Sequence, residues 1–249
     1  MPSVKLHANK YEQMIARRGR DVKWEQAVLC SCWNMDSGQP NYACKACGGK
    51  GYTYEPPIVE RALVMSITAN KEFEDMAGVF DVGDAVMTVP KRVFVEVVNP
   101  LNRSGVGTFV YQRDNAMFDI GMYDLVTLLD DEYKTSELLI RGTPMYGRPA
   151  DTLLNKDVTK IITIRKSDPE TGVVIKYTPG VDFTNTGNKI EWLGIHPNEP
   201  AEGETYSVTY KHRPVYTVLT TLPKPRHQDG QDLPRYVVLR YRSGGFEPK

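Results

Sequence analysis

The chain has 249 residues, enough for one large β domain or two smaller ones with separate cores. Basic and acidic side chains number 31 each, so no overall positive charge points to nucleic acid or membranes. The sequence contains no run of about eighteen apolar residues, so we expect no membrane span. No apolar segment follows the N-terminal charges, so we expect no signal peptide. We therefore expect a cytoplasmic protein, in which clustered cysteines are metal ligands more often than disulfides.

The charges are unevenly distributed along the chain. Residues 1–50 carry eight basic and four acidic groups, and residues 211–249 carry eight basic and three acidic ones. The middle of the chain therefore has a net charge of −9. Basic ends on an acidic body indicate a subunit that docks end to face, although ordinary solvated surface gives the same pattern.

A short helix is predicted before the cysteines. Tyr11, Met14 and Ile15 are spaced as on one helical face, and a glycine at position 19 ends the run. We assign residues 1–28 to an N-terminal helical arm. The arginines around the glycine are candidate contacts to a neighbouring subunit or a phosphate, and a solvated helix end is the other interpretation. They are Arg17, Arg18 and Arg20.

Residues 29–57 are predicted to form a metal-binding loop, because they hold every cysteine of the chain. The candidate ligands, with C-x-C and then C-x-x-C spacing, are Cys30, Cys32, Cys44 and Cys47. Two thiolate pairs joined by eleven residues can close on one ion, and structural zinc favours four sulfur ligands. The glycines that follow the second pair allow a tight turn. We therefore expect a zinc knuckle, with structural Zn2+ supplying the folding energy of a loop too small to fold alone.

Other interpretations of the cysteines remain open. Disulfides would need an oxidising compartment, and a bridge across C-x-C is strained. A C-x-x-C redox centre normally lies at a helix N-terminus, whereas this segment reads as polar loop. Catalytic zinc needs an open coordination position, which four cysteines do not leave. The functional alternative is a zinc-containing nucleic-acid-binding module, in which nearby aromatic residues touch bases while Lys45 and Lys50 supply charge.

The rest of the chain is predicted to be antiparallel β structure. Residues 58–150 contain Val- and Ile-rich segments at short intervals, which favours a small barrel or sandwich. A linker is predicted at 142–153, where glycine and proline recur. Residues 151–249 then form a second β module, in which Tyr206, Val208 and Tyr210 share one face of a strand and a C-terminal strand closes the chain. The predicted fold class is thus mainly β, with small antiparallel barrel or sandwich units, a short N-terminal helix and a zinc knuckle.

The sequence contains no established catalytic motif. It lacks a phosphate-binding glycine loop, a nucleophile elbow and an H-E-x-x-H pair, and its four histidines are scattered. His196 and His212 each precede a turn signal, so we expect turn or surface positions for them. We expect no enzyme activity; the alternative is a site built from residues such as His196 and Asp182.

The last predicted strand carries three arginines that are candidate partner contacts. They are Arg235, Arg240 and Arg242. The strand is placed at a sheet edge, where charged side chains also discourage aggregation.

The order of these features resembles the head–tail connector, or neck, proteins of tailed bacteriophages. Residues 19–24 match G-x-x-V-x-W, and the cysteine segment matches C-x-C-W followed by C-x-x-C-x-G-x-G-Y. The segments "GDAVMTVP", "YDLVTLLD" and "SELLIRG" resemble barrel strands of such proteins. "GVDFTNTGNKIEWLG" and "GETYSVTYKHRP" resemble a β module of phage structural subunits, and "LPRYVVLRYR" is similar as well.

The resemblance implies a non-catalytic virion subunit, an adaptor, head-completion or stopper protein that forms a homo-oligomeric ring in the neck. The implied partners are copies of itself, the portal or an adaptor protein, and a tail or tail-terminator protein, with passing contact to genomic DNA and none to a membrane. Assembly would take place in the host cytoplasm. From the charge distribution we add the hypothesis that the acidic middle of the chain lines a lumen that does not retain DNA phosphates.

Overall fold

The computed structural model describes residues 8–66, 83–90, 94–97, 108–111, 120–145, 148–168, 171–194, 199–221, 227–228, 231–232 and 234–242. Within these ranges the protein is mainly β with a single helix, which confirms the predicted fold class. It divides into two compact units. The barrel unit comprises Met1–Leu129 and Tyr216–Tyr241, and the sheet unit comprises Asp130–Val215 and Arg242–Lys249.

The elements are numbered in chain order. They are α1 (Ala8–Arg18), β1 (Arg20–Glu25), β2 (Ala27–Leu29), β3 (Trp33–Asn34), β4 (Gln39–Pro40), β5 (Tyr52–Tyr54), β6 (Ile58–Ser66), β7 (Ala85–Val89), β8 (Phe94–Val97), β9 (Thr108–Tyr111), β10 (Leu125–Leu128), β11 (Tyr133–Ile140), β12 (Val158–Ser167), β13 (Val174–Tyr177), β14 (Phe183–Thr186), β15 (Lys189–Trp192), β16 (Thr205–His212), β17 (Val215–Thr221), β18 (His227–Gln228), β19 (Gln231–Asp232) and β20 (Arg235–Tyr241). No helix in the described ranges has the length and apolar character that a membrane crossing requires.

Six strands of the barrel unit close into an antiparallel barrel in the order β1-β10-β17-β20-β7-β6. Alternate residues of each strand point inward, as where Val22 lies opposite Leu128 and Trp24 lies opposite Val126. The inward residues form one hydrophobic cluster that includes Val22, Trp24, Met87, Val126, Leu128, Val218, Val237 and Leu239. The interior of the barrel is therefore a packed core.

Helix α1 ends on the barrel. The N–H of Gly19 donates to the carbonyl oxygen of Ile15 at 2.6 Å, and a Cβ at position 19 would overlap that oxygen. Arg61 of β6 donates from Nη1 to the carbonyl oxygen of Ala16 at 2.6 Å and from Nε to Asp21 Oδ1 at 3.0 Å. Arg61 thus satisfies a carbonyl that the helix end leaves without an intrahelical partner, and it ties the helix to β1.

The sheet unit consists of a four-stranded antiparallel sheet, in the order β11-β16-β12-β13, and the hairpin β14–β15. One face of the sheet packs on a core formed by Leu139, Leu153, Ile161, Ile164, Tyr177, Phe183, Ile190, Tyr206, Val208 and Tyr210. The predicted alternation along β16 is confirmed, since its three core residues are buried while Ser207, Thr209 and Lys211 are partly exposed on the other face. Trp192 packs edge-on against Tyr206, with ring centroids 5.2 Å apart.

The two units divide differently from the boundaries drawn from the sequence. The chain leaves the barrel after β10, forms the sheet unit, and returns to the barrel at β17. The predicted linker at 142–153 lies inside the sheet unit, where Leu153 is buried and exchanges hydrogen bonds with Asn188 at 2.7 and 3.0 Å. The predicted N-terminal arm also contains a barrel strand, β1.

The predicted edge position of the C-terminal strand is wrong. β20 lies between β17 and β7 in the closed barrel. Closure of a barrel leaves each of its strands with two neighbours, so this strand has no free edge to protect.

Candidate metal centre

Two short antiparallel ribbons hold residues 27–54, which we call the cysteine loop. Strand β2 pairs with β5, and β3 pairs with β4. The first two cysteines lie between β2 and β3, and the last two lie between β4 and β5. Because the ribbons place these two connections side by side, cysteines separated by eleven residues of sequence meet in one place.

The four sulfur atoms form one compact cluster. All four Sγ atoms lie within 4.8 Å of one another. The distance is 3.8 Å between Cys30 and Cys44 and 3.4 Å between Cys32 and Cys47, and all four cysteines are free. A tetrahedral ion with metal–sulfur bonds of about 2.3 Å needs sulfur–sulfur distances of about 3.8 Å. The cluster therefore fits a site that could hold one metal ion with four thiolate ligands.

Burial and backbone hydrogen bonding support the same donor set. Cys30 and Cys47 are buried, and Cys32 and Cys44 are half-buried. The N–H of Gly51 donates to Cys47 Sγ at 3.3 Å. A hydrogen bond of this kind orients a sulfur ligand and stabilises its negative charge.

The surroundings shift the pKa of three of the cysteines in different directions. Backbone N–H groups of Cys47 and Ala46 lower the pKa of Cys44. At Cys47 desolvation raises the pKa, but the Gly51 N–H and the neighbouring thiols outweigh it and bring the pKa to about 6. Desolvation and the thiol of Cys47 raise the pKa of Cys32 to about 12. Four adjacent thiolates repel one another, and a bound cation would remove that penalty.

Two glycines of the loop are required by its geometry. Gly49 and Gly51 have φ angles of 81° and 82°, in the left-handed region that disfavours side chains. A Cβ at position 49 would lie 2.7 Å from the carbonyl oxygen of Tyr42, and one at position 51 would lie 2.5 Å from the ring of Trp33. The G-x-G that follows the second cysteine pair is therefore a packing requirement of this loop.

The loop is fastened to the barrel by a buried carboxylate, Asp124. Its Oδ2 accepts hydrogen bonds from Trp24 Nε1 and from the N–H of Gly121, both at 2.8 Å. Its Oδ1 accepts from the N–H of Ala27 at 2.7 Å. Since Ala27 begins β2, a single side chain joins barrel strand β1 to the first ribbon of the cysteine loop. The role of Asp124 is not recognisable from the sequence, because a lone aspartate before an apolar strand carries no distinctive signal.

Tyr123 provides a second attachment. Its ring stacks on that of Tyr52 in β5, with centroids 4.6 Å apart and planes inclined by 24°. Desolvation and the neighbouring Tyr123 raise the pKa of Tyr52. Tyr123 has a φ of 72°, a conformation that is strained for a residue with a side chain. The strained backbone therefore lies where the barrel meets the cysteine loop.

The predicted interface arginines near the N-terminus are solvent-exposed. Arg17 and Arg18 lie in the last turn of α1, and Arg20 begins β1. Positive charge at this end of a helix complements the helix dipole, which gives the pair in the last turn a local role as well.

The arginines of the C-terminal strand lie in different environments. Arg235 is exposed at the start of β20, and Arg242 follows the strand, its N–H donating to the carbonyl oxygen of Val215 at 2.9 Å. Arg240 has its Nε 3.6 Å from Oδ2 of Asp84, a carboxylate that is 2% exposed. Arg240 therefore neutralises a buried charge of the barrel.

The predicted turn or surface position of His212 is wrong. His212 is buried at the end of β16, with Nε2 3.0 Å from Thr135 Oγ1 and Nδ1 3.1 Å from the carbonyl oxygen of Arg213. Desolvation lowers its pKa. Both ring nitrogens thus have partners within the fold.

Of the two residues named for an alternative catalytic site, the structure describes Asp182. Asp182 is buried and accepts a hydrogen bond from the N–H of Thr178 at 2.6 Å, which closes a turn. His196 lies outside the described residues.

Comparison with protein-family models gives a match over part of the chain. A family model described as a domain of unknown function (DUF4815) matches residues 123–221. The match covers the sheet unit up to β16 and the flanking barrel strands β10 and β17, and it does not include the cysteine loop. No curated protein matches the chain.

Proposed function

We propose that this protein is a structural subunit of the head–tail connector of a tailed bacteriophage and that its four cysteines hold a structural zinc ion. The observation that supports the proposal is the four-sulfur cluster fastened to a closed barrel whose interior is filled by side chains. Four sulfur ligands leave no coordination position for a reacting water molecule. This arrangement suits assembly and load-bearing rather than catalysis.

Zinc is the metal that best suits this donor set. Tetrahedral sites with four thiolates bind zinc or iron, and zinc is the usual choice where the site is closed and only structural. When bound, the ion supplies a cross-link between the two ribbons. The turns at Gly49 and Gly51 orient the sulfur atoms. Asp124 and Tyr123 hold the cysteine loop on the barrel.

The cysteine loop presents apolar side chains to solvent. Met35, in the turn between β3 and β4, is 85% exposed, and Tyr42, just after β4, is 78% exposed. Large apolar residues exposed on a rigid loop favour burial against another protein. In our proposal these residues contact a neighbouring copy or the portal.

The proposed assembly is a homo-oligomeric ring in the virion neck, formed in the host cytoplasm. One side of the ring meets the portal or an adaptor protein, and the other meets a tail or tail-terminator protein. The exposed charges of Arg17, Arg18 and Arg235 are proposed contacts at these junctions. No enzymatic step is part of the proposal.

The proposal is tested by reconstitution with purified portal and tail-terminator proteins of a tailed phage that carries this chain. We expect the zinc-loaded protein to form rings, or to be captured as rings by one of the two partners, in negative-stain images. A double variant with Met35→Ser and Tyr42→Ser should lose capture and keep its metal, whereas Met122→Ser, which changes an apolar residue that is 51% exposed outside the loop, serves as the control. A zinc-loaded monomer that neither partner captures contradicts the proposal.

A further inference from the structure

The solvent-facing side of the four-stranded sheet carries a row of lysines from three adjacent strands. Lys211 of β16 lies opposite Lys134 of β11 on one side and opposite Lys160 of β12 on the other. Like charges directly opposite one another on neighbouring strands destabilise a sheet. An anion bound across this row would offset the repulsion. We call this side of the sheet the basic sheet face.

A second basic row crosses the same face. Arg165 of β12 lies opposite Lys176 of β13 and opposite Ser207 of β16. Positions 207 and 211 of β16 are separated by about 13 Å, at roughly 3.3 Å per residue, and adjacent strands by about 4.8 Å. The five cations span four adjacent strands and therefore cover a patch on the order of 14 by 13 Å.

Hydroxyl groups occupy the space between the two rows. Ser136 and Thr209 lie opposite each other with their hydroxyl oxygens 2.8 Å apart, and Thr163 lies opposite Thr209 from the other side. Serine and threonine hydroxyls donate readily to phosphate oxygens. The face therefore combines fixed positive charge with neutral donors.

Most of these cations have no carboxylate partner in the described part of the chain. Lys211 is the exception, with Nζ 2.7 Å from Glu132 Oε2, and this hydrogen bond lowers the pKa of Glu132. Arg165 donates from Nε to Thr163 Oγ1 at 3.3 Å. Lys134, Lys160 and Lys176 are exposed, and no ion pair to them is found among the described residues.

We propose that the basic sheet face binds the phosphate backbone of double-stranded nucleic acid without reading its sequence. Closely spaced cations with hydroxyl donors are the groups that contact phosphates, and such contacts carry no base specificity. None of the outward-facing positions in these four strands is aromatic, so the face offers no platform for stacking unpaired bases. This inference stands independently of the proposed connector function.

The net charge of the middle of the chain does not describe the basic sheet face. The middle of the chain, residues 51–210, has a net charge of −9, yet it supplies four of the five cations of the basic sheet face, all except Lys211. Glu137, in β11 between two outward-facing positions, points to the opposite side and pairs there with Arg148 at 3.2 Å. The hypothesis of a DNA-repelling acidic middle therefore does not extend to the basic sheet face.

An acidic protein surface is the competing occupant. Leu138 and Val174 are exposed near the second row, and apolar contacts of that kind are common in protein interfaces. Ile162, at the β12 bulge, adds one apolar side chain that is 38% exposed between the two rows. The other positions there, Ser136, Thr163 and Thr209, carry hydroxyl groups, which favours the phosphate backbone.

The test is fluorescence anisotropy of a labelled 20-base-pair DNA duplex titrated with the full chain between about 50 and 200 mM salt. Each phosphate neutralised contributes about −0.9 to the slope of log affinity against log salt, so we expect a slope near −4 for the natural protein. The triple variant Lys134→Ala, Lys160→Ala and Lys176→Ala should reduce the magnitude of the slope by about 3 and weaken binding at least roughly tenfold at low salt. Replacing the same three lysines with arginine should preserve both values.

A matched control removes three cations elsewhere, with Arg17→Ala, Arg18→Ala and Lys45→Ala. This variant should bind the duplex as the natural protein does. The proposal is overturned if the control loses affinity and the triple variant does not, because binding would then belong to the helix end and the cysteine loop. It is also overturned if the natural protein fails to bind the duplex but binds polyglutamate through the same three lysines. Either result leaves ring formation and metal content, which are measured separately, unaffected.

Discussion

Asp124 accepts a 2.8 Å hydrogen bond from the indole Nε1 of Trp24, and both side chains are buried in the barrel unit. The same carboxylate accepts the N–H of Ala27, the residue at which the chain turns from the barrel into the cysteine loop. The barrel core and the candidate metal centre are therefore coupled through one side chain. Variants at position 124 therefore test both the barrel core and the candidate metal centre.

Asp124→Ala is expected to lower the free energy of unfolding by about 3 kcal/mol or more, because it leaves three N–H donors without their acceptor. Urea unfolding followed by circular dichroism measures the change. Asp36→Ala, at an exposed position in the loop, should change the free energy of unfolding by less than about 0.5 kcal/mol. Equal effects of the two variants would contradict the coupling role of Asp124.

Gly51→Ala is expected to weaken metal binding, because the added methyl group meets the Trp33 ring at a residue with a φ of 82°. Gly48→Ala is the matched control: its φ is 61°, but no atom lies within 4 Å of the added Cβ. We expect the control to show only the backbone penalty of about 1 kcal/mol. Competition with a chromophoric zinc chelator compares the two affinities, and a larger loss for Gly48→Ala would refute the packing argument.

Removing the metal is expected to unfold the cysteine loop and to leave both cores folded. The barrel core and the sheet core are separate hydrophobic clusters, and neither is built around the cysteines. Hydrogen exchange after chelation should show loss of protection in residues 27–54 and retained protection in β12 and β16. A single transition that removes protection throughout the chain would contradict this prediction.

His212 is expected to make the sheet unit less stable in mild acid. Desolvation lowers its pKa in the folded state, and the hydrogen bond with the Arg213 backbone, together with Asp157 and Glu137, opposes that shift only in part. The unfolded chain therefore binds more protons below about pH 6.5, so the stabilising effect of the neutral ring is present above that pH and is lost as pH falls.

Urea titrations at pH 7 and pH 5.5 measure this dependence. We expect the free energy of unfolding of the natural protein to fall more between the two pH values than that of His212→Gln, which keeps polar groups near Thr135 but does not titrate in this range. Equal pH dependence of the two proteins would show that the ring does not control it.

The cysteine cluster could be predicted because its information is local. Spacing, glycine turns and the chemistry of thiolates suffice to expect four sulfur atoms around one centre, and the Sγ atoms do lie within 4.8 Å of one another. The alternation of buried and more exposed side chains could also be predicted in β16, where every second residue is buried. Both features depend on residues close together in sequence.

The closed barrel could not be predicted in the same way, because its pairings are distant in sequence. β10 and β17 are neighbours in the barrel although residues 130–214 of the sheet unit lie between them in the chain. In β7 all five residues are buried, so no alternation marks its inward face. Alternation indicates which side chains are buried, but it does not identify the partner strand.

The glycine- and proline-rich segment at 142–153 shows how composition misleads. Its composition predicts a linker, yet Arg148 reaches Glu137 Oε2 at 3.2 Å and the N–H of Leu154 donates to Glu137 Oε1 at 2.8 Å. A half-buried carboxylate on a neighbouring strand thus holds an irregular segment in place. Contacts of this kind leave no mark in the local sequence.

The most direct test of the account is zinc content measured together with native mass on the purified chain. We predict about one zinc per chain, lost in the variant Cys44→Ser with Cys47→Ser, and a mass that corresponds to a ring or to an assembly-prone oligomer of the 28.1 kDa subunit. A metal-free or iron-containing chain that stays a 28.1 kDa monomer would contradict both the structural zinc site and the connector function built on it.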